Sequence, residues 1–185
     1  MDNSTGKGLG TYFSVGETAG LKGRKRSLFA GGTRVPFIVR WPVVVKEGII
    51  DKKSHLSAVD LLPTFCELAG IDLPENYLPD GESFVDLLRG NNFKRTKPIY
   101  WQWKFSNHRK NFWASAAVQD GKWKLYVNQN SGQQALFNLD HDWAEQDDIS
   151  NQNPEIVQLL LEKINDWEET LPTSAPEQCF SATRK

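Results

Sequence analysis

The stretch "LKGRKRSLFAGGTRVPF", residues 21–37, carries the reading of this chain. Four of the five residues at 22–26 are cations. They run into a glycine pair, Gly31 and Gly32, and then into an apolar segment. Three readings fit the basic cluster by itself. A run of cations is most often a solvated surface loop. It can form a nucleic-acid patch, but here no aromatics interleave the cations and no DNA-binding motif surrounds them. It can also be an anion site, in which a lysine beside glycines brings its ammonium against a phosphate or sulfate with backbone N–H groups nearby. The glycine pair removes side-chain bulk where the chain turns tightly or approaches a neighbour closely.

The charge distribution sets this stretch apart. The 185 residues carry a net charge of −1, too little to draw nucleic acid or an anionic membrane to the molecule as a whole. Residues 1–50, however, hold eight Lys/Arg against three Asp/Glu, while residues 51–185 hold fourteen against twenty. No apolar run approaches the ~20 residues of a membrane span. Two cysteines, Cys66 and Cys179, are too few for a disulfide framework or a thiolate metal site. Cys66 lies in an apolar helical pattern and reads as core.

Working outward, "VPFIVRWPVVV" (35–45) is apolar and rich in β-branched residues, and it reads as a buried strand ending near Pro42. "SAVDLLPTFCELAG" (57–70) reads as a helix capped by Ser57 or Asp60 and stopped by Gly70. "DGESFVDLLRG" (80–90) reads as a turn and a short helix, and "NNFKRTKP" (91–98) as a linker. Four strand-like runs follow at 99–103, 114–120, 122–127 and 133–138, with Asp120 and Gly121 signalling a hairpin. Residues 154–171 read as the last element, an amphipathic helix with Pro154 in its first turn. A strand at 35–45 needs neighbours on both edges, and nothing before it supplies them. The expectation is therefore a chain that forms the tail of something longer.

The order of these features resembles the sulfatase family. Asp2 and Asn3 are followed by about twenty residues of loop and then by Lys25, Phe29, the glycine pair and Arg34, Val35 and Pro36. The likeness continues through "SAVDLLPTFCELAGI", "LPDGESFVDLLRG", "VQDGKWKLY" and "ALFNLDHDWAEQDDISNQNPEIVQLL". The resemblance implies an α/β fold: residues 1–95 as the C-terminal portion of a large mixed-sheet catalytic domain, and residues 96–185 as a small α+β domain of antiparallel sheet plus one C-terminal helix.

It also implies roles. Asp2 and Asn3 would be oxygen ligands of Ca²⁺, in which case the "NST" sequon at 3–5 is buried and not glycosylated. Lys25 would contact the sulfate of the substrate. The nucleophile of the family is a formylglycine made from a cysteine in a Cys-x-Pro-x-Arg segment. Neither Cys66 ("TFCEL") nor Cys179 ("EQCFS") has that context, so the chain is not expected to turn over by itself. The aromatic segment "YWQWKFSNHRKNFW" (100–113) offers Trp101, Trp103 and His108 as a surface for a sulfated sugar; its alternative is a strand with core aromatics and a basic loop. His55 and His141 read as capping or surface residues, and Trp123 and Trp143 as packing. Besides sulfatase, the sequence allows a non-catalytic module that binds sulfated glycans. The substrate, a sulfated sugar or a small aryl sulfate, is left open, as are oligomeric state and compartment; family habit points to secretion, the periplasm or a lysosome.

Overall fold

The structure is a computed structural model, which describes residues 17–25, 27–103 and 114–174. At its centre is a four-stranded antiparallel sheet in the order β1-β2-β3-β4. The strands are β1 (Ile99–Gln102), β2 (Ala116–Asp120), β3 (Trp123–Asn128) and β4 (Gln133–Asn138). The β2–β3 hairpin is the one signalled by Asp120 and Gly121: Asp120 pairs with Trp123, and Gly121 takes a φ of 54°. At the β3–β4 turn the Asn128 side-chain oxygen accepts the N–H groups of Asn130 and Ser131, a local bond that fixes the reversal.

Strand periodicity divides the sheet into two faces. On one, Ala116, Val118, Leu125, Val127 and Leu136 meet the helix α4 (Pro154–Glu169). Val157, Leu160 and Ile164 of α4 recur at helical spacing and are buried against them. Further along the helix, Trp167 stacks on Tyr100 of β1, with ring centroids 4.8 Å apart and planes 7° from parallel. The other face carries Ala117, Tyr126, Ala135 and Phe137. It is covered by residues brought from far earlier in the chain, Leu28 and Phe29, which lie just before a four-residue helical turn, α1 (Ala30–Thr33). The small α+β unit expected from the sequence is therefore present, and its second face is closed by the basic stretch.

Between the two lie α2 (Leu61–Ala69), preceded by a 3-10 turn at Ala58–Asp60, and α3 (Val85–Leu88). Gly70 ends α2 in the left-handed conformation, φ 65°, as its position required. Asp60 is fully buried and organises this region. Its carboxylate accepts the N–H groups of Ser57 (2.7 Å) and Glu82 (3.0 Å) and pairs with Arg95 at 2.6 Å. Residues 91–98 are consequently not a free linker: Thr96 and Lys97 donate to the Glu82 carboxylate, and the Lys97 ammonium bonds the carbonyls of Pro79 and Gly81.

The expected strand at 35–45 does not form; among the described residues the first strand is β1. Val35 is 76% exposed and Ile38 88%, so this apolar run is neither paired nor buried. An apolar, β-branched pattern favours extended backbone, but a strand also needs a partner for its ladder bonds. Cys66, read as core, is half-buried, because Leu62 and Phe65 on the same helix face solvent. Trp143, read as packing, is 54% exposed. No helix among the described residues is long and apolar enough to cross a membrane.

Candidate functional site

The basic stretch folds back on itself. The Ser27 N–H bonds the Arg24 carbonyl at 2.9 Å, and the Gly31 N–H bonds the Lys22 carbonyl at 2.8 Å. Lys25 sits exposed at the turn between these contacts. The glycine pair serves close approach. A Cβ on Gly31 would collide with the Gly23 carbonyl oxygen, and one on Gly32 with that of Ser27. The N–H groups of the pair itself are engaged within the loop. The Gly31 N–H is taken by Lys22 and that of Gly32 by Phe29.

Both ends of the loop are tied to two consecutive residues of the segment after β4. The Lys22 N–H donates to the Ala144 carbonyl at 3.2 Å, and the Ala30 N–H donates to Glu145 Oε2 at 2.7 Å. Glu145 is fully buried and has a φ of 60°, a conformation that L-residues seldom adopt. Its other oxygen, Oε1, accepts Lys124 Nζ at 3.0 Å and the Tyr126 hydroxyl at 2.7 Å. The Lys124 ammonium also lies 4.8 Å from the centre of the Trp101 ring and 5.1 Å from that of Tyr126. Phe29 completes the attachment, packing against Tyr126 at 4.5 Å and edge-on to Phe137 at 6.4 Å. Lys22 holds its ammonium 4.9 Å from both the Phe29 and the Phe137 ring, so it packs on the aromatic face.

Burial shapes the electrostatics of this cluster. It pushes the Lys124 ammonium below its ordinary range, and the Glu145 carboxylate opposes that shift. Burial, reinforced by Glu145, holds the Tyr126 phenol well above its usual value of 10.0. Tyr126 therefore remains a proton donor to Glu145 across the physiological range.

The candidate residues do not all converge. Lys25 is exposed on the loop. Trp101 and Trp103 are half-buried and pack on the same face of the sheet as Phe29, which agrees with the core-aromatic alternative for that strand. Asp2, Asn3 and His108 lie outside the described residues. Among the described residues no group of three or more His, Cys, Asp or Glu side chains is placed to hold a metal ion. His55 and His141 are both exposed outside the regular elements, and partial desolvation and Arg34 lower the His55 imidazole pKa, with Asp140 opposing. Sequence reasoning missed Glu145, Lys124 and Tyr126. The signal available was the run "HDWAEQDD", in which one acidic residue among several turns inward.

Comparison with known proteins gives a consistent picture. Residues 22–170 match the family described as N-sulphoglucosamine sulphohydrolase, C-terminal. The chain is 28% identical over 156 residues to an N-acetylgalactosamine-6-O-sulfatase of Bacteroides thetaiotaomicron, covering 76% of this chain and 28% of that protein. It is 30% identical over 147 residues to arylsulfatase K of Xenopus laevis, covering 76% and 27%. Among solved structures it resembles Ps i-CgsB in complex with k-i-k-neocarrahexaose, with a TM-score of 0.65 and 35% identity over 80% of this chain and 31% of that one. The chain thus spans less than a third of the length of these relatives.

Proposed function

This chain belongs to the sulfatase family, whose C-terminal part it matches, and from that membership we propose that it serves the hydrolysis of sulfate esters on sugars, with Lys25 as the residue that meets the sulfate. In this reading residues 1–95 belong to the catalytic α/β domain and residues 96–185 form the small C-terminal domain. The observation that carries it is the exposed lysine at the tip of a loop anchored at both ends.

An ammonium held against the sulfate oxygens stabilises the charge that gathers there and on the departing ester oxygen as the bond breaks. The gain is greatest when the group is fixed in place before reaction. Asp2 and Asn3 would hold a Ca²⁺ ion, whose charge would add to that of Lys25 at the same oxygens; a carboxylate and an amide oxygen suit that hard cation. In this reading Trp101, Trp103 and His108 would meet the sugar, since indole faces suit sugar rings and an imidazole suits an anionic substituent. The attacking group in this proposal is a formylglycine outside these 185 residues, so the chain alone releases no sulfate. The sugar class rests on the relatives, one an N-acetylgalactosamine-6-O-sulfatase and one seen with a neocarrahexaose.

Thermal unfolding of the 185-residue chain tests the proposal, because a ligand that binds only the folded state must raise its melting temperature. N-acetylgalactosamine 6-sulfate with Ca²⁺ should raise it, and the unsulfated sugar should not. Lys25→Ala should abolish the difference. Equal shifts with both sugars would sink the sulfate reading. A sulfate-specific shift that ignores both Ca²⁺ and Lys25 would identify a non-catalytic glycan-binding module instead.

A further inference from the structure

We propose that Glu145 is the positioning residue for the lysine loop, holding the Lys25 turn against the sheet face that the loop covers, through the Ala30 N–H. This rests on the reading of Lys25 as the sulfate-contacting residue. Nothing in the chemistry of sulfate hydrolysis requires a buried carboxylate at this position, 115 residues away in sequence from the residue it bonds.

Four observations converge on it. The carboxylate is fully buried, and its two oxygens serve different elements. Oε2 takes the loop, and Oε1 takes the sheet through Lys124 and Tyr126. A buried ion pair gains little net stability over apolar packing, so stability alone does not account for this one. The second tether of the loop comes from the adjacent residue, Ala144, so one short segment grips both ends of the lysine turn. The Leu28 carbonyl lies 3.3 Å from the Tyr126 hydroxyl, whose single proton goes chiefly to Glu145 at 2.7 Å, so the loop backbone sits directly against this cluster. The Lys124 ammonium links the same cluster to the Trp101 ring. Loop and aromatic border are thereby set relative to one another by a single buried group.

Two substitutions separate positioning from general support. Glu145→Gln leaves one oxygen and one NH₂ where two oxygens served three donors, so either the loop or the sheet loses its acceptor. Ala30→Pro deletes the loop's donor, and its Cδ, which replaces the hydrogen aimed at Glu145 Oε2, also forces the carboxylate away from the loop. Position 30 is the first residue of its helical turn, where proline is tolerated, and Phe29 already has the extended backbone (φ −62°, ψ 160°) that a following proline demands.

The readout is the rate of tryptic cleavage, site by site, in the full chain. Lys22, Arg24 and Lys25 lie inside the loop, and Lys163 on α4 serves as an internal reference. Loss of a hydrogen bond to a buried carboxylate should speed loop cleavage by on the order of tenfold, with the Lys163 rate unchanged. Unchanged loop cleavage in Ala30→Pro overturns the proposal, whatever Glu145→Gln does to folding. So does parallel acceleration at every site, which marks a merely structural group. Binding of N-acetylgalactosamine 6-sulfate supplies the link to function. Glu145→Gln should weaken it in the wild-type background and have no further effect in Lys25→Ala; additive losses would show that Glu145 does not act through Lys25. Unaltered binding in Lys25→Ala overturns the reading of Lys25 itself, and the cleavage rates still decide the anchor.

Discussion

Ala30 and Glu145 are joined by a 2.7 Å hydrogen bond across 115 residues of chain, and this bond closes the second face of the small sheet over a basic loop. A loop that must present one lysine to an anion gains from being held before the anion arrives. The grip on Ala30 by Glu145, on Lys22 by Ala144 and on Phe29 by the aromatic face provides that fixity.

Gly31→Ala should destabilise the chain by about 1–3 kcal/mol, as overpacking does when backbone is the obstacle. The added Cβ meets the Gly23 and Lys22 carbonyls, neither of which can rotate away. Urea denaturation monitored by tryptophan fluorescence measures the cost. Gly121→Ala makes a useful control, since its Cβ meets nothing and only its positive φ is at stake.

Tyr126→Phe should flatten the loss of stability at alkaline pH. The phenol in the folded protein titrates well above its ordinary 10.0, through burial and the Glu145 charge. The stability it contributes is complete below pH 10 and is lost as pH rises from there towards the folded-state value. Lys124, the other charged group at Glu145, acts with the opposite sign. Its pKa is lowered from 10.5 by burial, so the folded state binds fewer protons and stability from this group rises with pH up to that value. The variant removes only the phenol, so its stability should fall less steeply than wild type above pH 10. Parallel curves would contradict the assignment.

Asp60→Asn should cost about 3–5 kcal/mol, the range for removing one partner of a buried pair and leaving the other uncompensated. The amide cannot accept on both sides, where the carboxylate serves Ser57, Glu82 and Arg95. Arg95→Met added to Asp60→Asn should cost less than the sum of the two separate changes. Chemical denaturation of the four proteins in the cycle supplies the test.

Ile38→Lys should change stability by less than ~0.5 kcal/mol, as surface substitutions do. Ile38 is 88% exposed in the apolar run that the sequence alone assigns to a buried strand. A loss of several kcal/mol on thermal denaturation would place that run in a core.

The contrast at Ile38 shows where sequence reading succeeds and fails here. The four strands, the Asp120–Gly121 hairpin, α2 and α4 are legible because each is a local pattern: alternation, a turn dipeptide, a cap and helical spacing. The run at 35–45 has the pattern of a strand, but pairing is not local, and no described segment pairs with it. The site divides the same way. Lys25 is a candidate only through the flanking motifs of the family resemblance, and its exposure at the turn is what the structure adds. Lys124 is not legible: in "KWKLYV" it alternates with apolar residues as an outward polar residue would, yet it is 3% exposed because the Phe29 loop covers that face. Glu145 sits in an acidic run that reads as solvated, and only the returning Ala30 N–H gives it a reason to be buried.

The most direct test is of Lys25 itself. The full chain, labelled with ¹³C and ¹⁵N in lysine, is titrated with N-acetylgalactosamine 6-sulfate and with the unsulfated sugar, the Lys25 side-chain resonance being assigned by its disappearance in Lys25→Ala. The account predicts that the side-chain signal of Lys25 moves with the sulfated sugar alone, and that those of the packed Lys22 and the buried Lys124 do not. A Lys25 signal that stays still, or that moves equally with both sugars, would contradict it.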